Sequence, residues 1–134
     1  MSKFKELIDK YEVAVYPKRD LVIVKGKEAT VWDENGNEYI DCAAGIGVAT
    51  IGHANPAVVK AITLQAEILI TNACVFYNDT RALFLEKLNQ ITPANLTRSF
   101  LTNSGTEAME AAIKFARVST GKTDFITTMR GFHG

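Results

Sequence analysis

The apolar positions of this 134-residue chain change their spacing three times, and each change marks a new kind of element. Phe4, Leu7, Ile8 and Tyr11 repeat at helical spacing, with Ser2 placed to cap the first turn. Pro17 and Lys18-Arg19-Asp20 close that segment. Three short strand-like runs follow, at residues 21–25, 29–33 and 38–42. The last two flank Asn35-Gly36, the pair that favours a type I′ hairpin turn because both of its residues tolerate positive φ. Residues 21–42 are therefore expected to form a small antiparallel sheet.

Residues 43–56 are rich in Gly and Ala and read as a loop with close backbone approaches. Pro56 suits the first turn of a helix whose apolar stripe is Val58, Ile62, Ala66 and Leu69. A second helix follows Asn78-Asp79-Thr80, with Phe84, Leu88 and Ile91 on one face and Pro93 as its stop. The rhythm then alternates. Residues 98–102 predict a strand, Glu107–Ser119 a helix with Ala108, Ala112 and Phe115 inward, and 124–129 another strand. Strand, helix, strand is a βαβ unit. A boundary between the small β portion and the α/β portion is expected at residues 53–57.

Composition excludes some functions. The formal net charge is +0, which favours neither nucleic acid nor an anionic membrane. No apolar run has the length of a membrane span, and the start lacks a signal-peptide core. The expectation is a cytoplasmic protein, in which Cys42 and Cys74 are reduced, buried thiols.

Candidate chemistry gathers at two places. Thr102-Asn103-Ser104-Gly105-Thr106-Glu107 lies where a strand gives way to a helix, the edge at which open α/β sheets bind ligands. The first amides of a helix lack internal partners and attract anions. Gly105 leaves room for a phosphate, and Ser104 and Thr106 add hydroxyls. Ser104 with Glu107 is equally a capping box, Ser104 capping the Glu107 amide and Glu107 the Ser104 amide. The two roles are compatible. The second place is Gly131-Phe132-His133-Gly134, past the last strand. Phe132 there is either a stacking partner for a flat ligand or a buried aromatic beside a hydrogen-bonded histidine.

Other motifs fail. Gly45-Ile46-Gly47 opens a dinucleotide fingerprint but has Thr50 for its third glycine. Asp33-x-Asn35-x-Asn37 starts like a calcium loop, yet Glu38 and Ala44 occupy its glycine and final carboxylate positions. His53 has no metal-ligand partners at suitable spacing and reads as a turn or helix-start residue; no metal is expected.

Taken together, Asn103-Ser104-Gly105-Thr106-Glu107-Ala108 and Gly131-Phe132-His133-Gly134 resemble the class III (ω-type) aminotransferases. So do Val31-Trp32-Asp33-Glu34-Asn35-Gly36, Gly45-Ile46-Gly47-Val48, Gly52-His53-x-x-Pro56 and Phe76-Tyr77-Asn78. The subgroup most similar is that of the acetylornithine aminotransferases.

The resemblance implies the N-terminal portion of a fold-type-I α/β transferase, with residues 1–53 before the large domain and 54–134 its incomplete start. It implies pyridoxal 5′-phosphate (PLP) held by Ser104, Gly105, Thr106, Phe132 and His133. It places Tyr16, Ile46 and Phe76 along the substrate channel. It further implies a homodimer and amino transfer from N-acetylornithine, or a similar ω-amine, to 2-oxoglutarate, a step of arginine biosynthesis. A 4-aminobutyrate or ornithine aminotransferase is the nearer alternative. A non-catalytic phosphate-binding fragment is the alternative of another class. The family's lysine that joins the cofactor as a Schiff base is expected beyond Gly134, because none of the ten lysines present has its context. The 134-residue chain alone is thus expected to be inactive and marginal as a fold.

Overall fold

The structure is a computed structural model and describes residues 2–134. It divides into two compact units, one running through Asn72 and the other spanning Ala73–Gly134. The boundary expected at residues 53–57 lies inside the first unit, where His53 is tied back to the end of a strand.

The first unit opens with helix α1 (Lys3–Tyr11). Ser2 caps it by accepting from the Phe4 amide at 3.3 Å, and its hydroxyl donates to Glu34 at 2.6 Å. Strands β1 (Ile23–Lys27), β2 (Thr30–Asp33) and β3 (Glu38–Ile40) then form an antiparallel sheet in chain order. The register sets Lys25 opposite Trp32 and Trp32 opposite Glu38. Cross-strand neighbours interact directly. The Lys25 ammonium stands 4.5 Å from the Trp32 ring centre, and the indole N–H donates to Glu38 at 2.8 Å.

The hairpin lies where Asn35-Gly36 places it, but its turn is of another kind. Gly36 has φ +83°, whereas Asn35 keeps a negative φ, so the turn is not type I′. The Gly36 amide donates to the Asp33 carbonyl at 3.0 Å, which makes Gly36 the left-handed residue after a turn over 33–36. Asp33 drives this choice. Its carboxylate accepts from the Asn35 and Asn37 amides, the Asn37 side chain and the Tyr39 hydroxyl, at 2.9, 2.9, 2.9 and 3.0 Å. Among the described residues it is the one buried side chain, 4% exposed. Hydrogen bonds from Asn37 above all hold its carboxyl below the usual carboxylate range.

The Gly/Ala-rich stretch contains a single turn, α2 (Ala44–Gly47), of the unusual hand. Gly45 and Ile46 have φ/ψ of 60°/38° and 62°/50°. Ala44 and Gly47 also have positive φ. For the two non-glycine residues this costs about 1–2 kcal/mol each. Helix α3 (Pro56–Ile68) follows, with Pro56 in its first turn and Asn55 as its cap, accepting from the Ala57 amide at 3.0 Å.

The second unit holds α4 (Asp79–Ile91), capped by Asn78, and α5 (Gly105–Thr120), capped by Ser104 and closed by Gly121 in the left-handed conformation. The strands expected at 98–102 and 124–129 are not formed, because neither segment has a ladder partner among the described residues. Both still touch α5. Phe100 packs edge-to-face on Phe115 with ring centres 5.7 Å apart. Arg117 donates to the Thr123 carbonyl at 3.2 Å and lies over the Phe125 ring.

No apolar side chain is buried among the described residues. The accessible surface is 12250 Å², whereas two separate compact domains of half this mass would together expose about 8,400 Å². The apolar stripes of α3, α4 and α5 therefore lack a covering layer. Cys42 and Cys74 are exposed for the same reason, not buried as expected.

Candidate functional site

The site is built at the start of α5. Ser104 is extended, and its hydroxyl oxygen accepts from the Glu107 amide at 3.1 Å. The expected reciprocal bond does not close. The Glu107 carboxylate accepts instead from the Asn103 amide at 2.6 Å. The amides of Ser104, Gly105 and Thr106 consequently have no protein partner among the described residues. Three consecutive free N–H groups lie at the positive end of a 16-residue helix, where an anion is favoured.

Residues 131–134 return to this helix start. A turn closed by Gly131 donating to the Thr128 carbonyl at 3.1 Å, with Arg130 at φ +59°, reverses the chain. The Thr106 hydroxyl then donates to the Gly134 carbonyl at 2.5 Å. His133 donates through Nε2 to Glu110 at 2.8 Å, one turn further along α5. The approach depends on two glycines. A Cβ on Gly105 would lie 2.9 Å from the Gly134 Cα, and a Cβ on Gly134 would lie 2.3 Å from the Thr106 nitrogen. Gly134 thus packs directly against the Gly105–Thr106 backbone, and neither glycine position has room for a side chain. Phe132, two residues before Gly134, is 91% exposed.

These groups suit a phosphate attached to an aromatic ring: free amides for the phosphate, and the exposed Phe132 for the heterocycle. Five of the predicted site residues, Ser104, Gly105, Thr106, Phe132 and His133, lie within this one construction. Phe132 is open rather than buried, and His133 is held by Glu110. Phe76 also belongs to the second unit, in the turn before α4, where its carbonyl accepts from Arg81 at 2.7 Å. Tyr16 and Ile46 are exposed residues of the first unit.

The sequence reading missed one constellation. Asp41 accepts from the Ala43 and Ala44 amides, each at 2.9 Å, and from His53 Nε2 at 2.6 Å. The bond from His53, more than those from the two amides, holds the Asp41 carboxyl below its ordinary value. Asp followed by small residues is an Asx-turn signal, but nothing local joins it to a histidine twelve positions on. Among the described residues no group of His, Cys, Asp and Glu could hold a metal ion, and no helix is long and apolar enough to cross a membrane.

The sequence pattern of the family Aminotransferase class-III matches residues 12–134. The chain is 53% identical over 133 residues to the [LysW]-aminoadipate semialdehyde transaminase of Deinococcus radiodurans, covering 99% of this chain and 31% of that protein. It is 47% identical over 130 residues to the acetylornithine aminotransferase of Methanopyrus kandleri, covering 97% and 33%. Among solved structures, an ornithine aminotransferase from Toxoplasma gondii with PLP partly occupying its active site superposes with a TM-score of 0.75. That protein is 36% identical, and the match covers 85% of this chain and 26% of the other. The chain thus spans about a third of the length of the curated relatives it matches.

Proposed function

The chain belongs to the class-III aminotransferases, a PLP-dependent family, and from this we propose that it forms the N-terminal part of an enzyme that moves an amino group from N-acetylornithine, or a similar ω-amine, to 2-oxoglutarate. One observation carries the reading. Three amides at the start of α5 are free, and residues 131–134, which include the exposed Phe132, return to that helix through a contact only glycines allow, which supports a pyridoxal phosphate as the ligand.

When bound, PLP supplies an electron sink for carbon–nitrogen bond chemistry. The residues of this chain hold and orient it. The Ser104, Gly105 and Thr106 amides would grip the phosphate at the helix terminus, where the dipole adds to the attraction. Phe132 would stack on its ring. His133, steadied by Glu110, forms the wall beside Phe132. Tyr16, Ile46 and Phe76 line the substrate channel. In this reading the lysine that exchanges protons with the substrate is none of the ten in this segment. The working form in this reading is a cytoplasmic homodimer, with the large domain starting at residue 54.

A second reading has a specific observation behind it, the 53% identity to the Deinococcus radiodurans protein. In it the substrate is a LysW-linked aminoadipate semialdehyde rather than N-acetylornithine. Steady-state assays of the complete gene product with each substrate separate the two. Turnover of N-acetylornithine with 2-oxoglutarate is expected, and turnover of the LysW conjugate alone would replace the first reading with the second. The purified 134-residue chain is expected to show no transamination at all. PLP-dependent turnover by it would overturn the assignment of the lysine elsewhere.

A further inference from the structure

The first unit carries a strained segment that the phosphate cup does not explain. Ala44, Gly45, Ile46 and Gly47 all have positive φ, at 48°, 60°, 62° and 81°. Ile46 is β-branched, the residue type least suited to this region. It is also 94% exposed, so no burial of its own side chain compensates the strain. Strain of this kind persists only where the surroundings over-determine it, and it collects at functional sites.

The surroundings here are specific. The Asp41 amide donates to the Ala29 carbonyl at 2.8 Å. The neighbouring Glu28 exchanges two backbone bonds with His53, at 2.9 and 2.8 Å. The two consecutive residues that join β1 to β2 therefore anchor both ends of the strained segment. The His53 ring is seated on Gly26, where a Cβ would approach its Cγ to 2.7 Å. From that seat the imidazole donates to one Asp41 oxygen, while the other receives the Ala43 and Ala44 amides that enter the turn. The turn closes on itself through Gly47, Val48 and Ala49, whose amides donate to Ala43 and Ala44 carbonyls at 3.0, 2.8 and 2.8 Å. A continuous chain of contacts thus runs from the sheet, through His53 and Asp41, to the left-handed turn and its tip, Ile46.

We propose that Asp41 and His53 are positioning residues, which hold the turn at residues 44–47 left-handed so that Ile46 is presented to the amino-donor substrate. This rests on the reading of Ile46 as a substrate-channel residue. Neither Asp41 nor His53 touches substrate. They act through the backbone of the turn.

The test compares His53→Ala, His53→Gln and Asp41→Asn in the complete gene product. Two measurements are made: steady-state kinetics with N-acetylornithine, and hydrogen exchange of peptides covering residues 43–52. His53→Ala is expected to raise KM for N-acetylornithine on the order of tenfold, the loss of one charge-assisted bond, with kcat within about twofold. Exchange at residues 43–52 rises with it. His53→Gln restores most of both, since its amide nitrogen reaches Asp41 as a donor. Asp41→Asn keeps the acceptor for the Ala43 and Ala44 amides and falls between, so it carries the test if His53→Ala fails to fold. Faster exchange with an unchanged KM would overturn the substrate role. Unchanged exchange in both His53→Ala and Asp41→Asn would overturn the proposal entirely. A wild type that does not turn over N-acetylornithine would refute the donor, and the exchange comparison would then decide whether the pair holds the turn.

Discussion

The hairpin around Asp33 and the helix start at Ser104 solve opposite problems with the same material. Each is a short polar segment between apolar runs, and each gathers backbone amides around a focus. In the hairpin the focus is internal. The Asp33 carboxylate is the anion, and the amides of Asn35 and Asn37 are consumed by it. At the start of α5 the Glu107 carboxylate turns to Asn103, and the next three amides stay free. The first arrangement is complete and serves structure. The second leaves its amides free, and in the proposed reading a phosphate takes them up. An amide cluster becomes a ligand site when its own chain withholds the charge that would satisfy it.

Substitutions that exchange these roles break or sharpen the contrast. The largest effect is expected from Gly105→Val, whose side chain would occupy the space facing Gly134. PLP affinity of the complete gene product, by fluorescence titration, should fall on the order of 100-fold, at the upper end of overpacking costs. An unchanged affinity would mean that the phosphate is held elsewhere.

Asp33→Ala tests the other side. It frees the amides of Asn35 and Asn37 in a turn that has no ligand, so their hydrogen exchange should quicken on the order of tenfold while PLP affinity is unchanged. The same carboxylate sets a pH dependence. Its pKa is lowered in the folded state, chiefly by the Asn37 side chain. Its stabilising contribution is therefore full above the ordinary carboxylate range and is lost as pH falls through the lowered value. Carboxyl titration by NMR should place Asp33 below the ordinary aspartate value, and an ordinary value would show that the network is not formed.

The smallest effect is expected from Ser104→Ala. Loss of the cap should cost α5 about 1 kcal/mol, read as roughly fivefold faster exchange at the Glu107 amide. A loss of PLP affinity much beyond that factor would show that the Ser104 hydroxyl touches the phosphate itself.

Much of this was legible in the sequence because it depends on neighbours along the chain. Asn55-Pro56, Asn78 and Ser104 announce their helices through the caps they provide, and Asn35-Gly36 announces the hairpin. The kind of turn was not legible, since Asp33 overrides the preference of the Asn-Gly pair by accepting four bonds at once. Residues 98–102 and 124–129 have the composition of strands, but a strand is made by its partners, and neither segment has one here. The helix start and its cap could be read from Ser104-Gly105-Thr106, whereas the direction of Glu107, which leaves the next amides free, could not. The Asp41–His53 pair was invisible because it is created by the sheet register, which brings the Ala29 and Glu28 backbone to both residues.

The central claim is that the open amides of α5 hold the cofactor phosphate. The most direct test is amide NMR of the complete gene product, recorded before and after addition of PLP and again with inorganic phosphate. The account predicts that the Ser104, Gly105 and Thr106 amides shift most with both ligands, and that Phe132 ring signals respond only to PLP. Amides 104–106 that stay in place while others move would contradict it.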